Sequence, residues 1–122
     1  MGYYALHHEG EISIPLDKRD EVLAELAKAY EEHNSSPMAL WTIDIPTDLE
    51  QEIIDRGFDY VIDADEIVVN VFDSKWHSIT DVFLNAVLKH AKDGSAMSFR
   101  GEDGAMWRFT RDGVQNATIV WE

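Results

Sequence analysis

From Tyr3 to Ile14 the chain alternates. Even positions carry Tyr4, Leu6, His8, Gly10, Ile12 and Ile14, and odd positions carry Tyr3, Ala5, His7, Glu9, Glu11 and Ser13. Period-two alternation predicts one long strand, or two strands about a bend at Gly10, with the even face buried. Pro15 ends it, because proline cannot donate to a ladder. Asp17 or Asp20 is placed to cap a helix whose apolar stripe is Val22, Leu23, Leu26, Ala27 and Tyr30, with Asn34 as its left-handed stop. Leu40 to Ile45 alternates again, Trp41, Ile43 and Ile45 against Leu40, Thr42 and Asp44, which predicts a second strand stopped by Pro46. Thr47 is placed to cap a short helix, with Leu49 and Ile53 inward, Ile54 at the margin and Gly57 in the C-terminal turn.

Phe58 to Ile62 and Glu66 to Phe72 read as two strands joined through Asp63, Ala64 and Asp65. The second carries apolar residues on both phases, Ile67, Val69 and Val71 against Val68 and Phe72, so it is expected to be central or well covered. A helix follows, with Trp76, Ile79, Val82, Phe83, Ala86, Val87 and His90 as its stripe and cations in its last turn. The remainder has hairpin spacing. Glu102, Asp103 and Gly104 make one turn, and Arg111, Asp112 and Gly113 the next. Met97 and Phe99, then Trp107 and Phe109, then Ala117, Ile119 and Trp121 keep alternating phase. The expected fold is a single α+β domain over residues 1–122: an antiparallel or mixed β-sheet with two to three helices mainly on one face and a C-terminal β-meander.

Composition narrows the function classes. The 122 residues contain no cysteine, which excludes disulfide scaffolds and thiolate zinc sites. No apolar run reaches the roughly 18 residues of a membrane span, and the opening MGYYALHHEG has neither the basic nor the apolar region of a signal peptide, so a soluble cytoplasmic protein is expected. The formal net charge is -14, from 24 acidic and 10 basic side chains. It argues against direct binding to nucleic acid or to an anionic membrane, both of which need a basic footprint.

That charge is unevenly spread. Residues 31–73 carry twelve acids against the single base Arg56, whereas residues 74–122 carry six of each. The asymmetry predicts one strongly negative surface, drawn from Asp44, Asp48, Glu50, Glu52, Asp55, Asp59, Asp63, Asp65 and Glu66. Asp48, Glu52 and Asp55 share one face of the short helix, where like charges cost about 0.2–0.5 kcal/mol per pair. Such a face points to a use other than helix stability, beside the plainer reading that these are solvated turns and helix faces.

Catalytic chemistry finds less support. His7 and His8 are adjacent on a strand, point to opposite faces and cannot chelate together. His77 and Asp81 are four apart and could share a helix face, but no second ligand pair stands at comparable spacing, so a surface pair near the helix N-terminus is the plainer reading. Asp63, Asp65 and Glu66 could hold a hard cation through oxygen, yet they lack the glycine and distal glutamate of a calcium loop. There is no G-x-S-x-G, P-loop or G-x-G-x-x-G. No metal, cofactor or catalytic residue is assigned. Trp41, Trp76, Trp107 and Trp121 fall on the apolar phase of their elements and read as core. Tyr3 and His7 fall on the polar phase of theirs and could form a recognition surface.

The string GSAMSFRGEDGAMWRFTRDGVQ, with the opening MGYY and the GEISI that follows, resembles a pattern in small uncharacterised proteins of phages, prophages and actinobacteria. Gly94, Phe99, Gly101, Glu102, Trp107, Arg108, Asp112 and Gly113 carry it, with the N-terminal GEI strand and the Trp76 helix. Much of it can be rebuilt from hairpin physics, and Glu102 could pair with Arg108 across the hairpin. The resemblance implies a phage-borne accessory protein in a host cytoplasm and brings no activity or catalytic residue with it. The acidic middle lies outside it.

The leading expectation is a non-enzymatic protein whose acidic surface binds a basic host protein, with a nucleic-acid-handling protein as the natural target and nucleic-acid mimicry in counter-defence or host takeover as the setting. The alternative is a small-molecule or nucleotide-binding sponge using Arg100, Arg108, Arg111, Tyr3 and His7. A metal-dependent hydrolase ranks third. Strands at the sheet edges leave a homodimer by edge pairing open.

Overall fold

The computed structural model describes residues 3–37 and 41–116, the last three by backbone alone. Strand β1 (Tyr3–Pro15) runs through a 3-10 turn into helix α1 (Arg19–Ser35), and an extended segment leads to helix α2 (Leu49–Asp55). Strands β2 (Phe58–Asp63) and β3 (Glu66–Trp76) form a hairpin, followed by helix α3 (Ser78–Leu88) and the meander β4 (Ala96–Gly101), β5 (Met106–Thr110) and β6 (Gly113–Asn116). The expected α+β class holds. The sheet has six strands in the order β2-β3-β1-β4-β5-β6, and every neighbouring pair is antiparallel.

One face of the sheet is covered. Ile12, Ile14, Phe58, Ile67, Val69, Phe72, Met97, Phe99 and Phe109 join Val22, Leu26 and Tyr30 of α1, Leu49 and Ile53 of α2, and Phe83 and Val87 of α3 in one buried cluster. α3 is the most deeply placed helix, with Thr80, Leu84, Ala86 and Leu88 also buried. Its aromatic neighbours interlock, Phe58 on Phe72 at 4.6 Å, Trp76 on Phe99 at 4.9 Å and Trp76 on Trp107 at 5.1 Å between ring centroids. Trp76 ends β3 and does not open the α3 stripe. Ala117, Ile119 and Trp121 lie outside the described residues.

The phase of β1 differs from the expected one. Ala5 is buried with Ile12 and Ile14, while Tyr4 and Leu6 are exposed. The pairing of β1 with β4 slips between His7 and Glu9, and its pairing with β3 slips between Leu6 and Ile12. A bulge adds a residue to one strand only, and an odd insertion sends every later side chain to the opposite face. Gly10 completes it at φ +87°, where a Cβ would stand 2.3 Å from the Ala96 carbonyl oxygen. Tyr3 therefore belongs to the covered face. Its ring lies over Gly101 and 6.1 Å from Trp107, and its hydroxyl donates to Asp103. That bond pushes the Tyr3 pKa up to about 12.

Three local expectations are corrected. Residues 41–46 are not a strand. The Asn34 side chain, which stays within α1 and does not end it, accepts from Ile43 N–H and donates to Ile43 C=O, both at 2.8 Å. Those bonds occupy the Ile43 backbone groups that a ladder would need. Lys18, and neither Asp17 nor Asp20, stands at the N-cap of α1, without a side-chain bond. Asp48, and not Thr47, caps α2, accepting from Glu50 N–H at 3.0 Å and Gln51 N–H at 3.3 Å. Thr47 is one residue too early to reach those orphan donors.

Candidate functional site

β2 is an edge strand, and α2 packs beside it. Along β2, Phe58, Tyr60 and Ile62 pair with Phe72, Val69 and Ile67 and so point to the covered face. Asp59, Val61 and Asp63 point to the open one. The hairpin turns tightly through Ala64, at φ +56°, and Asp65. This edge holds both the carboxylates of the acidic segment and an uncovered set of apolar side chains. Val61 is 50% and Ile62 51% exposed, Ile54 on α2 is 50% exposed, and Trp41 and Ile45 in the preceding segment are exposed as well. Trp41, expected in the core, instead lies at the surface with its ring 5.1 Å from that of His33.

The nine acids expected to form one surface divide. Glu52 is nearly buried, 6% exposed, and its carboxylate is committed inside the molecule. It accepts from the Tyr30 hydroxyl at 2.6 Å, and its Oε2 stands 2.9 Å from Arg56 Nε. Burial raises its pKa, against the lowering influence of Tyr30 and Arg56. Burial and the bond to Glu52 raise that of Tyr30 in turn. Asp48 is committed to capping. Glu50 pairs with Arg19 at 2.7 Å, and Glu66 pairs with Lys92. Asp44, Asp55, Asp59 and Asp63 remain exposed, with no ion pair among the described residues. Asp65 is exposed too, and its backbone carbonyl accepts from Leu16 N–H. A cleft of about 350 Å³ between residues 41–44 and α2 is bordered by Asp44, Glu52, Asp55 and Arg56.

The chain matches no family model, no curated protein and no solved structure. Function therefore rests on the geometry.

The residues considered for a sponge do not converge. Arg100 and Arg108 lie on the open face, where Arg100 pairs across strands with Leu6 and Met106 and Arg108 with Ser98. Tyr3 and His7 are on the covered face, and His7 Nε2 is 2.6 Å from the Gly10 carbonyl oxygen. Arg111, in the β5–β6 turn, is paired with Asp93. Arg108 bonds Ser98 at 3.1 Å and pairs with Glu9 at 3.4 Å, not with Glu102, whose carboxylate accepts from Tyr4 N–H. His77 and Asp81 are not a ligand pair either. The His77 N–H donates to Thr80 Oγ1 at the start of α3, and Asp81 accepts from Trp76 Nε1 at 2.6 Å. Among the described residues no helix is long and apolar enough to cross a membrane.

The exposed apolar residues of the edge are what sequence reasoning missed. Alternation placed Val61 and Ile62 in a strand, but whether a strand is central or peripheral depends on which partner takes its outer side.

Proposed function

We propose that this is a non-enzymatic, phage-type accessory protein that docks its β2–α2 edge on a basic host protein in the host cytoplasm. The observation that carries the reading is the coincidence, on one edge, of exposed carboxylates that have no ion pair among the described residues with exposed apolar side chains. Asp44, Asp55, Asp59 and Asp63, with Ile54, Val61 and Ile62, are exposed on α2, β2 and the segment that precedes them. Apolar side chains exclude water at the centre of an interface, and a charged surround steers the encounter and rejects partners of like sign. A nucleic-acid-handling protein fits best as the target class, because its groove is built to receive regularly spaced negative charge. The resemblance of the C-terminal hairpins to phage and prophage proteins supplies the setting.

The test is capture of host protein on the tagged chain, compared with the triple variant Asp55→Lys, Asp59→Lys, Asp63→Lys. These positions are exposed and outside the core, so the variant is expected to fold with a stability within about 0.5 kcal/mol of the parent for each change. The parent should retain a basic protein that rising salt releases, and the variant should lose it. Equal retention by both overturns the reading.

A further inference from the structure

We propose that the outer edge of β2 takes up an extended basic segment of the partner as an added strand, with lysine or arginine alternating with apolar residues. This rests on the reading above and names what the edge receives. The backbone register supplies the first argument. Asp63 and Glu66 close a hairpin whose loop is the two residues Ala64 and Asp65. The closing pair of such a hairpin exchanges its hydrogen bonds, so the next pair, Ile62 with Ile67, is the non-bonded one. Ile62 thus turns its N–H and C=O away from β3, toward the open side of the sheet edge. Among the described residues no other segment bonds to them. Unpaired edge groups of this kind are the template on which extended peptides add.

Side-chain chemistry chooses the occupant. The open face of β2 reads Asp59, Val61, Asp63, acid then apolar then acid. A strand laid against it brings its own residues opposite these, and opposite charges across strands attract while like charges repel. A basic, apolar, basic segment is the complement. A second copy of β2 paired antiparallel about Val61 is not, because it sets Asp59 against Asp63 twice. Val61 and Ile62, half-exposed on opposite faces, give an incoming strand apolar contact above and below the sheet.

The experiment uses the full chain and a fluorescein-labelled seven-residue peptide of alternating lysine and valine, read by fluorescence anisotropy at low salt. Its fully N-methylated counterpart keeps each charge and side chain but has no N–H to pair. The parent peptide should bind, and N-methylation should weaken binding about tenfold or more. Ile62→Pro removes the outward donor without touching a β3 bond. It should keep the thermal midpoint near the parent's while weakening the peptide to a similar degree.

Equal binding of the two peptides, with both lost on Asp59→Lys and Asp63→Lys, would leave the basic-partner reading standing and overturn strand addition. No binding of either peptide would also overturn it. So would a homodimer in sedimentation that Ile62→Pro dissolves.

Discussion

The two ends of the sheet treat charge and apolar surface in opposite ways. Around β4 and β5, Arg100 has no ion pair among the described residues and lies beside the exposed Leu6, but the neighbouring cations have partners. Arg108 pairs with Glu9, Arg111 with Asp93, and Lys89 with Glu25. The large side chains there close on one another, Phe99 standing among Phe58, Phe72, Trp76, Trp107 and Phe109. At the β2–α2 edge, four carboxylates have no ion pair among the described residues, and isoleucine and valine face solvent. Both ends belong to one sheet and one chain, and they differ in how many of their exposed charges are paired. One end is largely satisfied internally, and the other is the surface on which the proposed docking rests.

The largest expected effect tests whether that division holds energetically. Phe99→Ala should cost about 3–5 kcal/mol in denaturant unfolding, the range for emptying a buried aromatic site. Val61→Ala should stay within about 0.5 kcal/mol, as an exposed position does. A Val61 cost near that of Phe99 would make the edge part of the stabilising core and erase the contrast.

A second comparison lies inside the acidic segment. Glu52→Ala strands the Tyr30 hydroxyl and leaves Arg56 without its carboxylate, for an expected loss of about 2–3 kcal/mol. Asp55→Ala, three residues on and exposed, should change stability by less than about 0.5 kcal/mol. If the two were equal, the acids would form one class after all, and the division drawn from burial would fail.

Glu52 also marks where the sequence stops being legible. The helical spacing of Asp48, Glu52 and Asp55 was readable, as was the inward placing of Leu49 and Ile53. That Tyr30, twenty-two residues earlier, would reach over α2 and claim the middle carboxylate was not, because it depends on how α1 crosses α2. The hairpins 58–72 and 96–113 were readable because turn residues and alternation are local signals. β1 misled for a local reason too. Its pattern continues unbroken through the bulge, and only Gly10 hinted that the ladder shifts there. Asp44, Asp55, Asp59 and Asp63 were found from charge alone, while the edge position that exposes Val61 and Ile62 follows from β1 returning to pair with β3 and leaving β2 outermost.

The smallest expected effect concerns a charged cluster that ties α1 to the end of α3. Glu25 on α1 accepts from Lys89 at 3.1 Å and lies 3.3 Å from His90 Nε2, both just beyond α3. The Lys89 bond, ahead of His90, holds the Glu25 carboxyl below its ordinary value of 4.5, against a raising influence from burial. An acid whose folded pKa is depressed binds fewer protons folded than unfolded. Its contribution is therefore present above 4.5 and lost as pH falls through the folded value. Glu25→Gln should cost about 0.5–1 kcal/mol at neutral pH, the upper range for a partly exposed pair, and the parent and variant curves should converge in acid. Glu52 has the opposite sign. Its raised pKa makes the native state the better proton binder, so its contribution is present below 4.5 and lost as pH rises through the folded value, and Glu52→Gln should flatten that slope. Urea unfolding of the parent and both glutamine variants across pH 3–8 separates the two. If Glu25→Gln and Glu52→Gln shifted the profile in the same direction, the contrast between a carboxylate in a paired, solvated cluster and one held in the core would be lost.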